Sequence, residues 1–156
     1  MKTNIGIPDK NRQQTADILS IVLADEHVLY MKTRNAHWNV RGRDFHAMHL
    51  FFESQYKELE GVIDEVAERI KSIGYDAPGS LAAMLKLTKL KELSGDDRDS
   101  VTFIKALLAD HETLTRELRK MAEKCQDLGD DGSNDFLIGL LQIHEKMAWM
   151  LRASLE

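Results

Sequence analysis

His37 and His49, with the carboxylates of Asp64 and Glu68, are the residues of this 156-residue chain whose types and spacing suit metal chemistry. Imidazole combined with carboxylate is a donor set for iron, manganese or zinc. The stretch that holds them, Asn35 to Arg69, reads NAHWNVRGRDFHAMHLFFESQYKELEGVIDEVAER. A helix-breaking Arg41-Gly42 pair lies roughly midway between the two histidines. Residues equidistant from a turn share one height on antiparallel helices, so His37 and His49 are expected to face one point. Asp64 and Glu68 are spaced i,i+4 and stack on one helix face.

A single copy cannot bring the two pairs together. His49 and Asp64 are fifteen residues apart on what reads as one helix. At ~1.5 Å rise per residue they stand roughly 22 Å apart along the axis, whereas metal–ligand bonds are about 2.0–2.2 Å. The chain thus encodes two half-sites. A second copy of the helix, antiparallel about a two-fold axis, would complete both, since an isologous contact sets residue i against j and j against i. The midpoint of 49 and 64 places that axis near Tyr56-Lys57.

The elements that position these residues read as helices. The first opens after Pro8-Asp9 and runs to about Trp38, with Ile18, Leu19, Ile21, Val22, Val28 and Leu29 at helical spacing. Val40 to Arg43 is the turn. The second helix starts near Asp44, an N-cap type, and ends at Gly74, a C′ type. Its apolar face carries Phe52, Tyr56, Leu59, Val62, Ile63, Val66 and Ile70, and His49, Glu53, Glu60, Asp64 and Glu68 share another arc. Tyr75 to Gly79 breaks the pattern, and a short helix capped by Ser80 follows within a connection reaching Asp96-Asp97. The third helix runs from about Arg98 to Leu128. Gly129 to Gly132 is an acidic turn, and Ser133 is expected to cap the last helix. The expected fold is all-α: one domain over 1–156, a four-helix bundle with a long crossover containing a short helix. Residues 1–10 read as a short N-terminal extension.

Composition narrows the class further. Hydrophobic residues make up 43% and charged residues 30%, an ordinary globular balance. Cys125 is the single cysteine, so no internal disulfide framework exists. No apolar h-region stands at the N-terminus and no stretch reaches the roughly 18 apolar residues of a membrane span, so a cytoplasmic protein is expected. A net charge of −5 disfavours nucleic acid as the main partner and suits a protein that attracts cations. A di-iron bundle of the usual kind carries Glu-x-x-His on two helices. The residues three before each histidine are Ala24, Arg34, Arg43, His46, Leu108 and Leu141, so that motif is absent.

The run Asn35-Ala36-His37-Trp38-Asn39-Val40-x-Gly42-x-x-Phe45-x-x-x-His49, then Phe52-Glu53, then Asp64-x-x-Ala67-Glu68-Arg69, resembles the signature of the Dps family, the mini-ferritins. His144-Glu145-Lys146 and Trp149-Met150-Leu151-Arg152 resemble its last helix. The likeness covers essentially the whole chain. It implies a ferritin-like bundle assembled into a hollow dodecamer, with ferroxidase sites at two-fold interfaces. His37 and His49 would come from one subunit, and Asp64 and Glu68 from its partner. Glu53 stands where the family usually has Asp, which makes it a further candidate ligand, and Trp38 matches the aromatic beside the site. Fe(II) is the implied substrate, hydrogen peroxide the oxidant and a ferric mineral the stored product; zinc or manganese can take the same ligands.

The resemblance also assigns Asp131 and Asp135 to a negatively charged pore that concentrates cations. Members that coat DNA often carry a Lys-rich tail, whereas the first sixteen residues here hold Lys2, Lys10 and Arg12 against Asp9. Twelve copies at −5 each carry −60 formally, and phosphate binding needs the opposite sign. Weak or absent DNA binding is expected. Two other readings are a nucleoid-protecting protein and a metal-dependent amide hydrolase on the same shell.

Overall fold

The computed structural model describes residues 3–156, and Met1 and Lys2 of the expected extension lie outside them. Five helices follow in order: α1 Asp9–Asn39, α2 Phe45–Ser72, α3 Leu81–Leu87, α4 Ser100–Asp127 and α5 Asp131–Ala153. There is no strand among the described residues, only an isolated parallel bridge between Arg41 and Asp99. The long helices pack chiefly as two pairs, α1 with α2 and α4 with α5, and the crossover with α3 lies against α1. The chain is an all-α bundle with one crossover, as its periodicity predicts.

Details of the ends differ from the sequence reading. The N-terminal extension is shorter than residues 1–10, because Asp9 already opens α1 behind Pro8. A proline just before a helix costs nothing there, since its missing N–H would be unpaired in any case. Asp44 occupies the N-cap position of α2 but makes no side-chain cap; its carboxylate accepts from Ser100 Oγ at 2.5 Å and ties the turn to the start of α4. Ser133 is not the cap of α5: Asp130 is, accepting from the Ser133 amide at 2.9 Å. Buried Asp130 is also paired with Arg69 at 2.9 Å, which joins the end of α2 to the start of α5. Ser80 does cap α3, accepting from the Ala83 amide.

The interior is two apolar clusters stacked along the bundle. One gathers Leu19, Leu23, Val66, Ile70, Leu118, Leu137 and Leu140. The other gathers Leu29, Phe52, Leu59, Phe103, Leu107, Met147 and Leu151. Each fully buried side chain of this size stabilises by about 1.5–3 kcal/mol. Between the clusters lies a polar layer that periodicity did not predict. Glu26, His111 and His144 are all 0% exposed. His144 Nε2 lies 2.7 Å from Glu26 Oε1, and His144 Nδ1 lies 2.9 Å from His111 Nδ1. Glu26 Oε2 and His111 Nε2 have no partner.

Charged residues also fasten the crossover. Asp25 Oδ1 accepts from Thr88 Oγ1 at 2.6 Å, the Lys89 amide at 2.6 Å and the Leu90 amide at 3.3 Å. Burial still raises the Asp25 carboxyl above its ordinary value, against the pull of those hydrogen bonds. Lys32 donates to the Lys91 carbonyl at 2.8 Å and pairs with half-buried Asp110 on α4. At the end of α2, Arg12 donates to the Ile73 carbonyl at 2.8 Å. Gly74 there has φ +95°, and a Cβ would lie 2.3 Å from Thr3 Oγ1. Only glycine fits that position without strain.

Candidate metal centre

The α1–α2 turn creates the site. Val40 ends α1, Gly42 takes φ +135°, and the Arg41 amide donates to the Arg98 carbonyl at 2.7 Å. That conformation favours glycine, and it folds α2 back along α1 within a few residues. His37 near the end of α1 and His49 in the second turn of α2 then stack, with ring centroids 3.8 Å apart and planes 21° from parallel. The equal distance of the two residues from the turn is what aligns them.

Each histidine is held by the other's backbone. His37 Nδ1 lies 2.9 Å from the His49 carbonyl oxygen, and His49 Nδ1 lies 2.9 Å from the His37 carbonyl oxygen. A carbonyl can only accept, so both Nδ1 atoms carry the proton and donate. In the neutral rings both Nε2 atoms therefore keep a free lone pair. Fixing one ring nitrogen so that the other can bind a metal is how ligating histidines are usually oriented. His37 is 8% exposed, and the edge of Tyr56 packs on its ring at 5.1 Å.

Glu53, one turn beyond His49, completes a cluster. One ligand atom from each of His37, His49 and Glu53 lies within 4.8 Å of the others, the one group of its kind among the described residues. Glu53 Oε1 accepts from Lys57 Nζ at 2.5 Å. That hydrogen bond, then the Lys57 charge, then the nearby imidazoles hold the Glu53 carboxyl below its ordinary value. The extra methylene of Glu, relative to Asp, does not keep it out of the cluster.

The other candidates fall elsewhere. Asp64 and Glu68 are exposed on the same unbroken helix α2 and are not among the clustered ligands. Trp38 is 57% exposed, with the Arg34 guanidinium 5.3 Å from its ring centre. The same guanidinium lies over Tyr56 at 4.3 Å and Tyr30 at 5.4 Å, an arrangement favourable to a cation. Asp131 and Asp135 are exposed on the first turns of α5. Sequence reasoning missed the Glu26–His144–His111 chain. Its signal was available: each residue stands one turn from core leucines on its own helix, Glu26 from Leu23, His111 from Leu107 and His144 from Leu140.

A helical bundle with a single crossover and a cluster of imidazole and carboxylate is the architecture of ferritin-like proteins. The family model described as ferritin-like domain matches residues 16–156. An uncharacterised low temperature-induced protein of Nostoc is 39% identical over 156 residues, covering 99% of this chain and 87% of its own length. A DNA protection during starvation protein of Brevibacillus brevis is 35% identical over 156 residues, with both chains covered in full. The crystal structure of a Dps protein from Vibrio cholerae, described as one of the ferritin-like diiron-carboxylate proteins, superposes with TM-score 0.93 at 33% identity. It covers 100% of this chain and 98% of that one. The chain belongs to the Dps family of ferritin-like proteins.

Proposed function

We propose that the protein stores and detoxifies iron: it oxidises Fe(II), preferentially with hydrogen peroxide, and keeps the ferric product as a mineral inside a hollow dodecamer. The observation that carries the reading is the pair of histidines with both Nδ1–H groups committed to backbone carbonyls, beside Glu53. Pre-oriented imidazoles and a carboxylate suit Fe(II) and leave positions open on it. Zinc and manganese fit the same donors.

The two half-sites close between subunits. His37, His49 and Glu53 are supplied by one subunit and Asp64 and Glu68 by its partner, about a two-fold axis near Tyr56-Lys57. Support comes from α2 itself, an unbroken helix that holds His49 and Asp64 roughly 22 Å apart by its rise. Each of two Fe(II) ions gives one electron to one peroxide. With two protons the products are two Fe(III) and two waters, so no hydroxyl radical is released. The protein needs no nucleophile of its own. Burial pushes the lone thiol, Cys125, up to about 11, which keeps it protonated and inert.

Fe(II) oxidation by peroxide, followed optically in native protein and in His37→Ala, tests the assignment. The variant is expected to lose most of the fast phase, and equal mineralisation by both proteins would overturn it. Asp131 and Asp135 are proposed to line the entry pore. No helix among the described residues is long and apolar enough to cross a membrane, and we place the protein in the cytoplasm. At −5 per chain, direct DNA binding is weak or absent. A clear gel shift with metal-free protein at physiological salt would sink that statement.

A further inference from the structure

Arg34 is a cation beside the metal centre that its own chain does not neutralise. Its guanidinium lies 4.3 Å from the centre of the Tyr56 ring, 5.3 Å from that of Trp38 and 5.4 Å from that of Tyr30. Tyr56 in turn meets His37 edge-on at 5.1 Å. The three rings fix where the charge stands, yet no carboxylate pairs with it among the described residues. Lys57, the next cation, is already paired with Glu53 at 2.5 Å. Glu60 shares an arc of α2 with His49 and Asp64 and, among the described residues, has no cation. One charge of each sign is left over.

The two-fold contact proposed for the metal centre covers this face and brings those charges together from different subunits. An antiparallel contact centred between Tyr56 and Lys57 sets His49 opposite the partner subunit's Asp64. The same count sets Glu53 opposite the partner subunit's Glu60. Carboxylates that face each other across an interface repel unless cations stand with them. Arg34 stands at this level: it lies one turn before His37 on α1, as Glu53 lies one turn beyond His49 on α2. Leaving a covered guanidinium without an acid would destabilise the contact. Lys57 satisfies Glu53 within the chain, and Arg34 is left to satisfy the partner subunit's Glu60.

We propose that Arg34 of each subunit pairs with Glu60 of the partner subunit, and that this pair sets the register in which the two half-sites meet. Both are positioning residues, since neither touches the metal. Arginine suits the role because its planar fork binds a carboxylate with two parallel hydrogen bonds while its face rests on aromatic rings. The pair also rejects a wrong register: a slip of one turn would set Arg34 against the partner subunit's Lys57, cation against cation. This inference rests on the proposed closing of the metal centre between subunits.

Charge reversal in separate subunits is the test. Arg34→Glu and Glu60→Arg, each expressed alone, set like charges together twice in every two-fold contact. Co-expressed, the two chains form a mixed contact in which both pairs are again of opposite sign. Pairing inside one chain would not be repaired by mixing. Mass photometry of the assembled protein and Fe(II) oxidation by peroxide read the outcome. Each variant alone is expected to come apart at concentrations at least about tenfold above those at which native protein does, and to lose oxidation in step. Co-expression should restore both, and so should the two changes made in one chain. Native-like assembly of either single variant overturns the pair, and so does a co-expressed mixture no better than the singles. Where a single variant fails to fold alone, co-expression remains the deciding arm. His37→Ala separates this idea from the one beneath it. If His37→Ala oxidises Fe(II) as native protein does, the site reading fails; if it loses oxidation but keeps its assembly while mixing rescues nothing, the pair alone fails.

Discussion

His37 and His49 show how little a pair of imidazoles proposed as ligands needs from the rest of a protein. Their protonated nitrogens are fixed by two backbone carbonyls that are themselves part of the ligand-bearing helices. His144 and His111 are the opposite case, histidines whose neighbours are other side chains in a dry core. Removing His144 strands a carboxylate and an imidazole away from water. His144→Ala is expected to cost about 3–5 kcal/mol, the usual penalty for breaking a buried polar pair. Urea unfolding at fixed protomer concentration would measure it. A loss under 1 kcal/mol would mean that water enters the layer freely.

The same layer makes stability depend on pH. Burial, and then the neighbouring His144, hold His111 well below its ordinary value. The folded state therefore keeps His111 neutral where the unfolded chain, with a histidine value of about 6.5, binds a proton. The contribution is fully present above that value and is lost as pH falls below it, at up to about 1.4 kcal/mol per pH unit. Unfolding free energies between pH 7 and 5 should show this slope, and His111→Gln should reduce it by one proton's worth.

Among the elements, α5 depends on a residue that lies just outside it. Asp130 accepts from the Ser133 amide and from Arg69 of α2, so one carboxylate serves as both cap and inter-helix tie. Asp130→Ala should cost more than the ~1 kcal/mol of a lost cap alone. Thermal denaturation of Asp130→Ala and Arg69→Ala, singly and together, would separate the two parts. If the two losses simply add, the tie contributes nothing. Helix lengths and turn positions were legible because the 3.6-residue apolar period and Gly42 and Gly74 are local signals. The cap of α5 was not, because Asp130, Asp131 and Ser133 all have suitable side chains, and the partner on α2 decided among them.

For the whole molecule, the proposed shared site would make Fe(II) oxidation depend on assembly, because α2 holds His49 and Asp64 far apart along one helix. Subunits carrying His37→Ala and His49→Ala should be inactive alone, as should subunits carrying Asp64→Ala and Glu68→Ala. Co-assembled at equal amounts, they should regain about a quarter of the native sites by random mixing across the two-fold contact. Peroxide-dependent Fe(II) oxidation by the mixed shells reads this directly. Absence of any recovery would show that the histidines and acids do not share sites.

His37, His49 and the turn between them are determined by the sequence alone, since two residues equally far from a tight turn must meet when both flanking segments are helical. The separation of His49 from Asp64 is determined in the same way, by the fixed rise of a helix. What only the tertiary structure decided were the pairings between groups that no local period relates: Asp130 with Arg69, and Glu26 with His144 and His111. A charged or polar side chain at a given position has several partners within reach. Which one it takes depends on packing distances and burial that the chain acquires only when its helices come together.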